Sequence, residues 1–199
     1  WIVDKEKNQK SLKKLINRIN KIYICDGHHR IQGMINSNKK ISPMIIAFPH
    51  NQIQILDYNR VLKSKLSIEK IFNIISKNFI IKKIKNNSKS LKKGNMEMYA
   101  NHQWYSLKQI KNNNKLDVTT LHENIISKIK VNKIDFISGI DGSIILKKLV
   151  NSKKFNIAFK LCPTNISSVM RIADKKKFMP PKSTWFHPKP LDGLICSEL

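Results

Sequence analysis

The stretch "IYICDGHHRIQGM", Ile22 to Met34, sets the reading of the chain. An apolar run ends at Asp26 and Gly27, two histidines and an arginine follow, and the sequence then takes on helical spacing. That order predicts a strand over Lys21 to Cys25, a sharp turn through Gly27 and a helix from His28 to about Asn36. A helix that starts on a glycine turn presents unpaired backbone N–H groups and the positive end of its dipole, so the hinge is a candidate anion site. Gly27 lets the backbone approach a ligand closely. Arg30 can grip a phosphate or carboxylate through two hydrogen bonds, and Asp26 can orient a histidine, hold a metal or accept a substrate proton. The same residues also fit a plainer role, with Asp26 capping the helix and His28 and His29 on its surface. A metal centre fits poorly, because adjacent helical histidines point about 100° apart and no second ligand cluster accompanies them.

Outward from the hinge the pattern alternates. Leu12, Leu15, Ile16 and Ile19 have helical spacing and predict a helix over Gln9 to Ile19. "PMIIAF" reads as a buried strand and "QIQILDY" as a partly alternating one. A helix is expected over Ser67 to Lys77; Lys70 breaks the capping-box pattern, but Ser67 can still cap. A meander follows in "IIKKIK", "NMEMYA" and "HQWYSL", with "KKGN" and "NH" as its turns and Met96 and Met98 as core fillers. "KNNNK" at Lys111 to Lys115 reads as a loop and as the expected boundary between a first region, 1–110, and a second, 117–199. The second region reads helix, strand, helix, strand, helix, its first helix starting at Asp117 or at Thr120, which has capping-box spacing to Glu123. His122 on that helix reads as a packed or capping residue. Pro180, Pro181, Pro188 and Pro190 then exclude helix from the last segment. The expected class is α+β, a mixed α/β chain without internal repeats.

Composition bounds the function classes. At 199 residues and 41% hydrophobic the chain can bury a substantial core. Its longest apolar runs are far shorter than the roughly 20 residues of a membrane-spanning helix, and no leader pattern follows Trp1, so no membrane role is expected and a cytoplasmic location is. Cys25, Cys162 and Cys196, an odd number without a CxxC pair, read as reduced thiols. The net charge of +25 resembles a nucleic-acid footprint. Yet Lys, Ile and Asn make up about two-fifths of the chain, the signature of A- and T-rich codons, and the lysines are scattered without interleaved aromatics. Nucleic acid is therefore an unlikely partner. Arginine is scarce, which singles out Arg30 and Arg60 as positions that need a planar fork of donors.

Two further blocks carry candidate chemistry. "LDYNR" offers Asp57 and Asn59 beside Arg60, which reads either as a second phosphate or carboxylate clamp or as a structural partner of Asp57 or Glu69. "PPKST" offers Lys182, Ser183 and Thr184, and "HPK" adds Lys189. Without a glycine-rich lead this is no P-loop, but flanking prolines would hold Lys-Ser-Thr rigidly. The competing account is that Trp185 and Phe186 simply anchor a strand.

"YICDGHHR", "FPHNQIQILDYNRVL", "LDVTTLHENII" and "MPPKSTWFHPKPLDGLI" occur in that order and resemble the signature blocks of the domain of unknown function 1015 family. The resemblance covers essentially the whole chain. It implies that the chain corresponds to the C-terminal half of a protein about twice as long, with Trp1 a point of truncation. The DGHHR turn in turn is similar to the phosphate-binding turn of the ParB and sulfiredoxin superfamily, which includes free-serine kinases. Sulfiredoxins place a catalytic cysteine where this chain has His28, and ParB relatives carry Glu-Arg at His28 and His29, so the turn looks closest to the serine kinases. The resemblance thus implies a ParB/sulfiredoxin-like strand-turn-helix core followed by an α/β region. It also implies a nucleotide- or phosphate-binding phosphotransferase taking a small phosphorylated or nucleotide ligand, with ATP or ADP and Mg²⁺ as cofactors. Gly27 and Arg30 would bind phosphate, with Asp26, His28 and His29 catalytic. The alternative is a non-catalytic nucleic-acid or regulatory binding module of ParB kinship.

Overall fold

The computed structural model describes residues 2–37, 42–111, 113–191 and 193. Two compact units divide the chain, Trp1–Ile46 with Gly193–Leu199, and Ala47–Asp192. Cys196, part of the expected set of reduced thiols, lies outside the described residues.

The first unit carries two helices. α1 spans Glu6–Ile16, starting three residues before the expected Gln9 and stopping short of Ile19. Glu6 in its first turn and Lys13 and Lys14 in its last complement the helix dipole, and Glu6 pairs with Lys10 at 2.6 Å. α2 spans His28–Asn36, as the hinge predicts. Neither helix buries a residue. Lys21–Cys25 and Pro43–Phe48 are not strands. Both were expected to be strands from their apolar runs, but a strand exists only with a ladder partner, and among the described residues neither segment has one. Ile22, Ile24, Met44, Ile45 and Ile46 are exposed instead.

In the second unit, "QIQILDY" divides into β1, Gln54–Leu56, and the start of β2, Tyr58–Ser64. Thus "LDYNR" straddles the break between the two strands, Leu56 closing β1 and Tyr58, Asn59 and Arg60 opening β2. Then come α3, Ile68–Ser76; β3, Phe79–Ile84; β4, Asn95–Ala100; and β5, Gln103–Gln109. Ser67 caps α3 by accepting the Lys70 N–H at 3.4 Å. Asn101 and His102, both at positive φ, close a two-residue hairpin between β4 and β5. The second half follows the expected alternation: α4, Asp117–Asn124; β6, Val131–Ser138; α5, Gly142–Asn151; β7, Ile157–Lys160; α6, Ile166–Asp174; and β8, Trp185–His187. Of the two starts offered for α4, the helix takes Asp117.

The strands build a six-stranded sheet in the order β3-β5-β4-β7-β2-β6 and a separate β1–β8 pair, all antiparallel. This is the α+β class read from the sequence. The Lys111 to Lys115 loop falls inside this unit, whose sheet inserts β7 between β4 and β2. Alternation gives the sheet two packed faces. On one, Leu62, Met96, Met98, Leu107 and Phe159 meet Ile71 and Ile75 of α3 and Leu121 of α4. On the other, Val61, Tyr99, Trp104 and Ala158 meet Leu146 and Val150 of α5. Burying each large side chain contributes about 1.5–3 kcal/mol, so the sheet is a stiff platform for what its ends carry. His122 is exposed in the last turn of α4 rather than packed, because the core-facing stripe of that helix is Val118 and Leu121.

Candidate functional site

The DGHHR turn lies wholly in the first unit. Gly27 is the N-cap of α2 at φ 80°, a left-handed conformation that a side chain would strain. Its carbonyl accepts the Ile31 N–H at 3.1 Å, the first bond of the helix. Asp26 does not cap α2 in the way the plainer reading expects; its Oδ1 instead accepts the Gly27 N–H at 2.9 Å. That bond removes Gly27 from the expected set of backbone donors and leaves the first turn beginning at His28. Arg30 folds back over the turn, its Nε 3.8 Å from where a Cβ on Gly27 would sit. His28, His29 and Arg30 are exposed, so a ligand reaches them from solvent.

The Cys25 thiol is raised, first by burial and then by the Asp26 carboxylate beside it, which keeps it protonated at neutral pH. Burial chiefly, then Asp117 and Asp57, push Cys162 up to about 11, against the pull of Lys93. Burial thus disfavours the thiolate at both positions. Among the described residues no three His, Cys, Asp or Glu side chains gather into a metal-holding group.

The remaining candidates belong to the second unit. Arg60 is 2% exposed, and among the described residues no carboxylate pairs with it. Its Nη1 donates to the Tyr58 carbonyl at 2.6 Å and to that of Asn59 at 3.4 Å, and its Nη2 to the Lys182 carbonyl at 2.7 Å. The guanidinium also lies 4.5 Å from the Phe136 ring centre. Neither expected partner, Asp57 nor Glu69, pairs with it. Burial outweighs the Tyr58 interaction and lowers the Arg60 pKa to about 10. What Arg60 grips is the backbone of the PPKST turn.

Lys182 sits in that turn at φ 55°, exposed, with its Nζ 5.6 Å from the Tyr58 ring. Ser183 is buried; its hydroxyl donates to the Pro180 carbonyl, and its own carbonyl accepts from Thr164 Oγ1 at 3.4 Å. Thr184 is half-buried. β8 follows immediately, pairing Trp185 with Leu56 and Phe186 with Ile55. The anchoring account of Trp185 and Phe186 therefore holds alongside a rigid Lys-Ser-Thr turn. Lys189 lies with Nζ 5.5 Å from the Trp185 ring. At the start of β2, the Asp57 carbonyl accepts the Gly139 N–H at 2.8 Å while its Oδ2 is buried without a hydrogen-bond partner. Asn59 Oδ1 accepts the Leu161 N–H at 3.1 Å. Thus Arg60, Lys182, Ser183 and Thr184 meet at one end of the sheet, while Asp57 and Asn59 tie β2 to the chain around Gly139 and Leu161.

Residues 1–135 match the family described as "Protein of unknown function (DUF1015)". The chain belongs to this DUF1015 family. No curated protein matches it. Among solved structures the DUF1015 chain is similar to a conserved hypothetical protein from Pyrococcus furiosus, with TM-score 0.50 and 16% identity over 82% of this chain and 68% of that one. It is also similar to free serine kinase in complex with AMP, with TM-score 0.51 and 15% identity over 82% of this chain and 66% of that one. A variant of free serine kinase with AMP gives TM-score 0.53 and 15% identity over 94% and 81%. The chain spans about two-thirds of the length of the first two, and at such identity the likeness is one of fold. Among the described residues no helix is long and apolar enough to cross a membrane.

Sequence reasoning missed Glu97 and Lys160. Chemistry on β4 was masked by two core methionines flanking the acid; a signal was available in the scarcity of acidic residues, 13 against 38 basic ones.

Proposed function

We propose that this chain binds a nucleotide or a phosphorylated small molecule at the DGHHR turn and acts as a phosphotransferase on a small hydroxyl substrate such as serine. The observation that carries the proposal is the left-handed Gly27 at the N-cap of α2 with Arg30 folded back beside it. The first-turn backbone N–H groups of His28 and His29 and the Arg30 guanidinium would together meet phosphate oxygens at this exposed turn. The fold likeness to a kinase crystallised with AMP supports a nucleotide as the ligand.

Phosphoryl transfer needs positioning and charge neutralisation more than covalent help from the protein. In this reading the substrate hydroxyl oxygen attacks the terminal phosphorus, the bond to the leaving nucleotide oxygen breaks, and the hydroxyl proton passes to Asp26 or to a neighbouring histidine. Arg30 offsets the charge that spreads over the equatorial oxygens. Mg²⁺ takes few protein ligands and usually completes its shell with phosphate oxygens and water; the single carboxylate at the turn, Asp26, fits that pattern. The Lys182–Thr184 turn is a second anion-binding element in its own right, with Lys182 as the exposed charge and Arg60 holding the backbone that presents it.

The test is a titration of the full chain with ATP, ADP, CTP and phosphoserine, with Arg30→Ala alongside. At least one phosphorylated ligand should raise the melting temperature, and Arg30→Ala should weaken that ligand at least about tenfold while leaving the unliganded melting temperature unchanged. If no phosphorylated ligand shifts the melting temperature, the proposal fails. Salt-dependent DNA binding indifferent to nucleotide would replace it with a binding module.

A further inference from the structure

On the sheet face that packs against α5, one transverse row of side chains is polar. Register places Ser106 of β5 opposite Glu97 of β4, Lys82 of β3 opposite Ser106, and Lys160 of β7 opposite Glu97 on its other side. Directly opposed residues share a face, so Lys160, Glu97, Ser106 and Lys82 form a continuous row. Two residues along, Asn95, Lys108 and Ile80 form the next one.

Glu97 is 1% exposed, yet only half of its carboxylate is served. Oε1 accepts the Ser88 N–H at 2.8 Å, while Oε2 is buried with no partner. The chain from Ser88 to Leu91 crosses over the row: Lys160 Nζ donates to the Ser88 carbonyl, and Cys162 Sγ to the Leu91 carbonyl at 3.1 Å. Beside this crossing opens a cavity of about 370 Å³ lined by Glu97, Ser106, Ser90, Lys82, Lys92 and Lys108. An unserved oxygen on a buried carboxylate is costly unless a donor arrives. A purely anionic ligand would be repelled by Glu97, and a purely cationic one by three lysines. A small molecule bearing both charges satisfies the two sets together.

We propose that this cavity binds a small zwitterion of the amino-acid class, its ammonium on Glu97 Oε2 and its carboxylate on Lys82 and Lys108. Lys82 lies two strands from Glu97, about 10 Å across the sheet, a span that two long side chains close around a molecule of that size. The proposal rests on the phosphotransfer reading only for the choice of serine as the first amino acid to try.

The experiment is calorimetric titration of the full chain with L-serine, N-acetyl-L-serine and 3-hydroxypropionate, followed by ADP. L-serine should bind, and removing the ammonium, by acetylation or replacement, should weaken binding at least about tenfold, the worth of one charge-assisted hydrogen bond. Glu97→Gln should lose L-serine by a similar factor. The exposed Lys82→Met, which spares the core, should weaken L-serine, whose carboxylate it would no longer meet, while leaving the unliganded melting temperature unchanged. Equal binding of N-acetyl-L-serine, no amino-acid binding at all, or Lys82→Met indistinguishable from wild type would overturn the proposal. ADP binding without L-serine binding sinks this inference and leaves the nucleotide reading standing; L-serine binding that depends on Glu97 without any ADP binding does the reverse.

Discussion

The two units of this chain distribute packing and chemistry in opposite ways. Residues 47–192 bury Leu62, Met98, Phe159 and Trp104 on two faces of a sheet, and their candidate chemistry is held from behind, Lys182 by the buried Arg60 and Ser183 by Pro180. Among the described residues before Ala47 none is fully buried: Ile22 is 76% and Ile35 67% exposed, and His28, His29 and Arg30 stand in solvent. A turn that carries candidate binding residues can thus be shaped by core-anchored side chains, as at PPKST, or by local backbone rules alone, as at Gly27.

The contrast breaks or sharpens under substitution. Phe159→Ala should cost about 3–5 kcal/mol in denaturant unfolding, whereas Ile35→Ser in the first unit should stay within about 0.5 kcal/mol; comparable losses would erase the distinction. Gly139→Ala comes next. A Cβ there would lie 2.1 Å from Asp57 Oδ1 and 3.1 Å from the Asp57 backbone nitrogen, so β2 and the start of α5 must shift, at about 1–3 kcal/mol of stability and a lower melting temperature. Gly27→Ala meets nothing closer than 3.8 Å, and its effect, about 1 kcal/mol, comes from the left-handed backbone alone. It should show in ligand affinity more than in the global unfolding transition.

The smallest effect is one of pH. Burial raises the Asp117 pKa against the opposing Gly94 hydrogen bond and Lys93 charge. A raised folded pKa means that the contribution of Asp117 is fully present below its ordinary value of 3.8 and is lost as pH rises through the folded value. Asp117→Asn should flatten that component of an acid-range stability profile and leave the rest unaltered.

Much of the second unit was legible because its signals are local. Ser67 before an amphipathic run, and Gly94 and the Asn101-His102 pair between alternating strands, each fix a few dihedrals within a few residues, and each appears in the fold. The hinge was legible for the same reason, through Gly27. What failed was non-local. Lys21–Cys25 and Pro43–Phe48 have strand composition, but pairing depends on a second segment that composition does not name. Arg60 was legible as a residue that needs a fork of donors but not as one whose fork closes on carbonyls, because Lys182 lies 122 positions away. Glu97 escaped notice because a lone acid between two core methionines has the pattern of a solvent-facing position, and the Ser88 N–H that reaches its carboxylate comes from the segment after β3.

That separation has a consequence for how the molecule comes into being. During synthesis β2 leaves the ribosome long before the PPKST turn exists, and β1 must wait for β8 across the whole sheet. Every strand of the six-stranded sheet, by contrast, has its partners once Lys160 has emerged. The nascent chain therefore meets the requirements of its platform first and of its Lys182 turn only with the final segment, so that a stop codon between α6 and β8 would yield a protein with its sheet complete and its Arg60 guanidinium facing no turn.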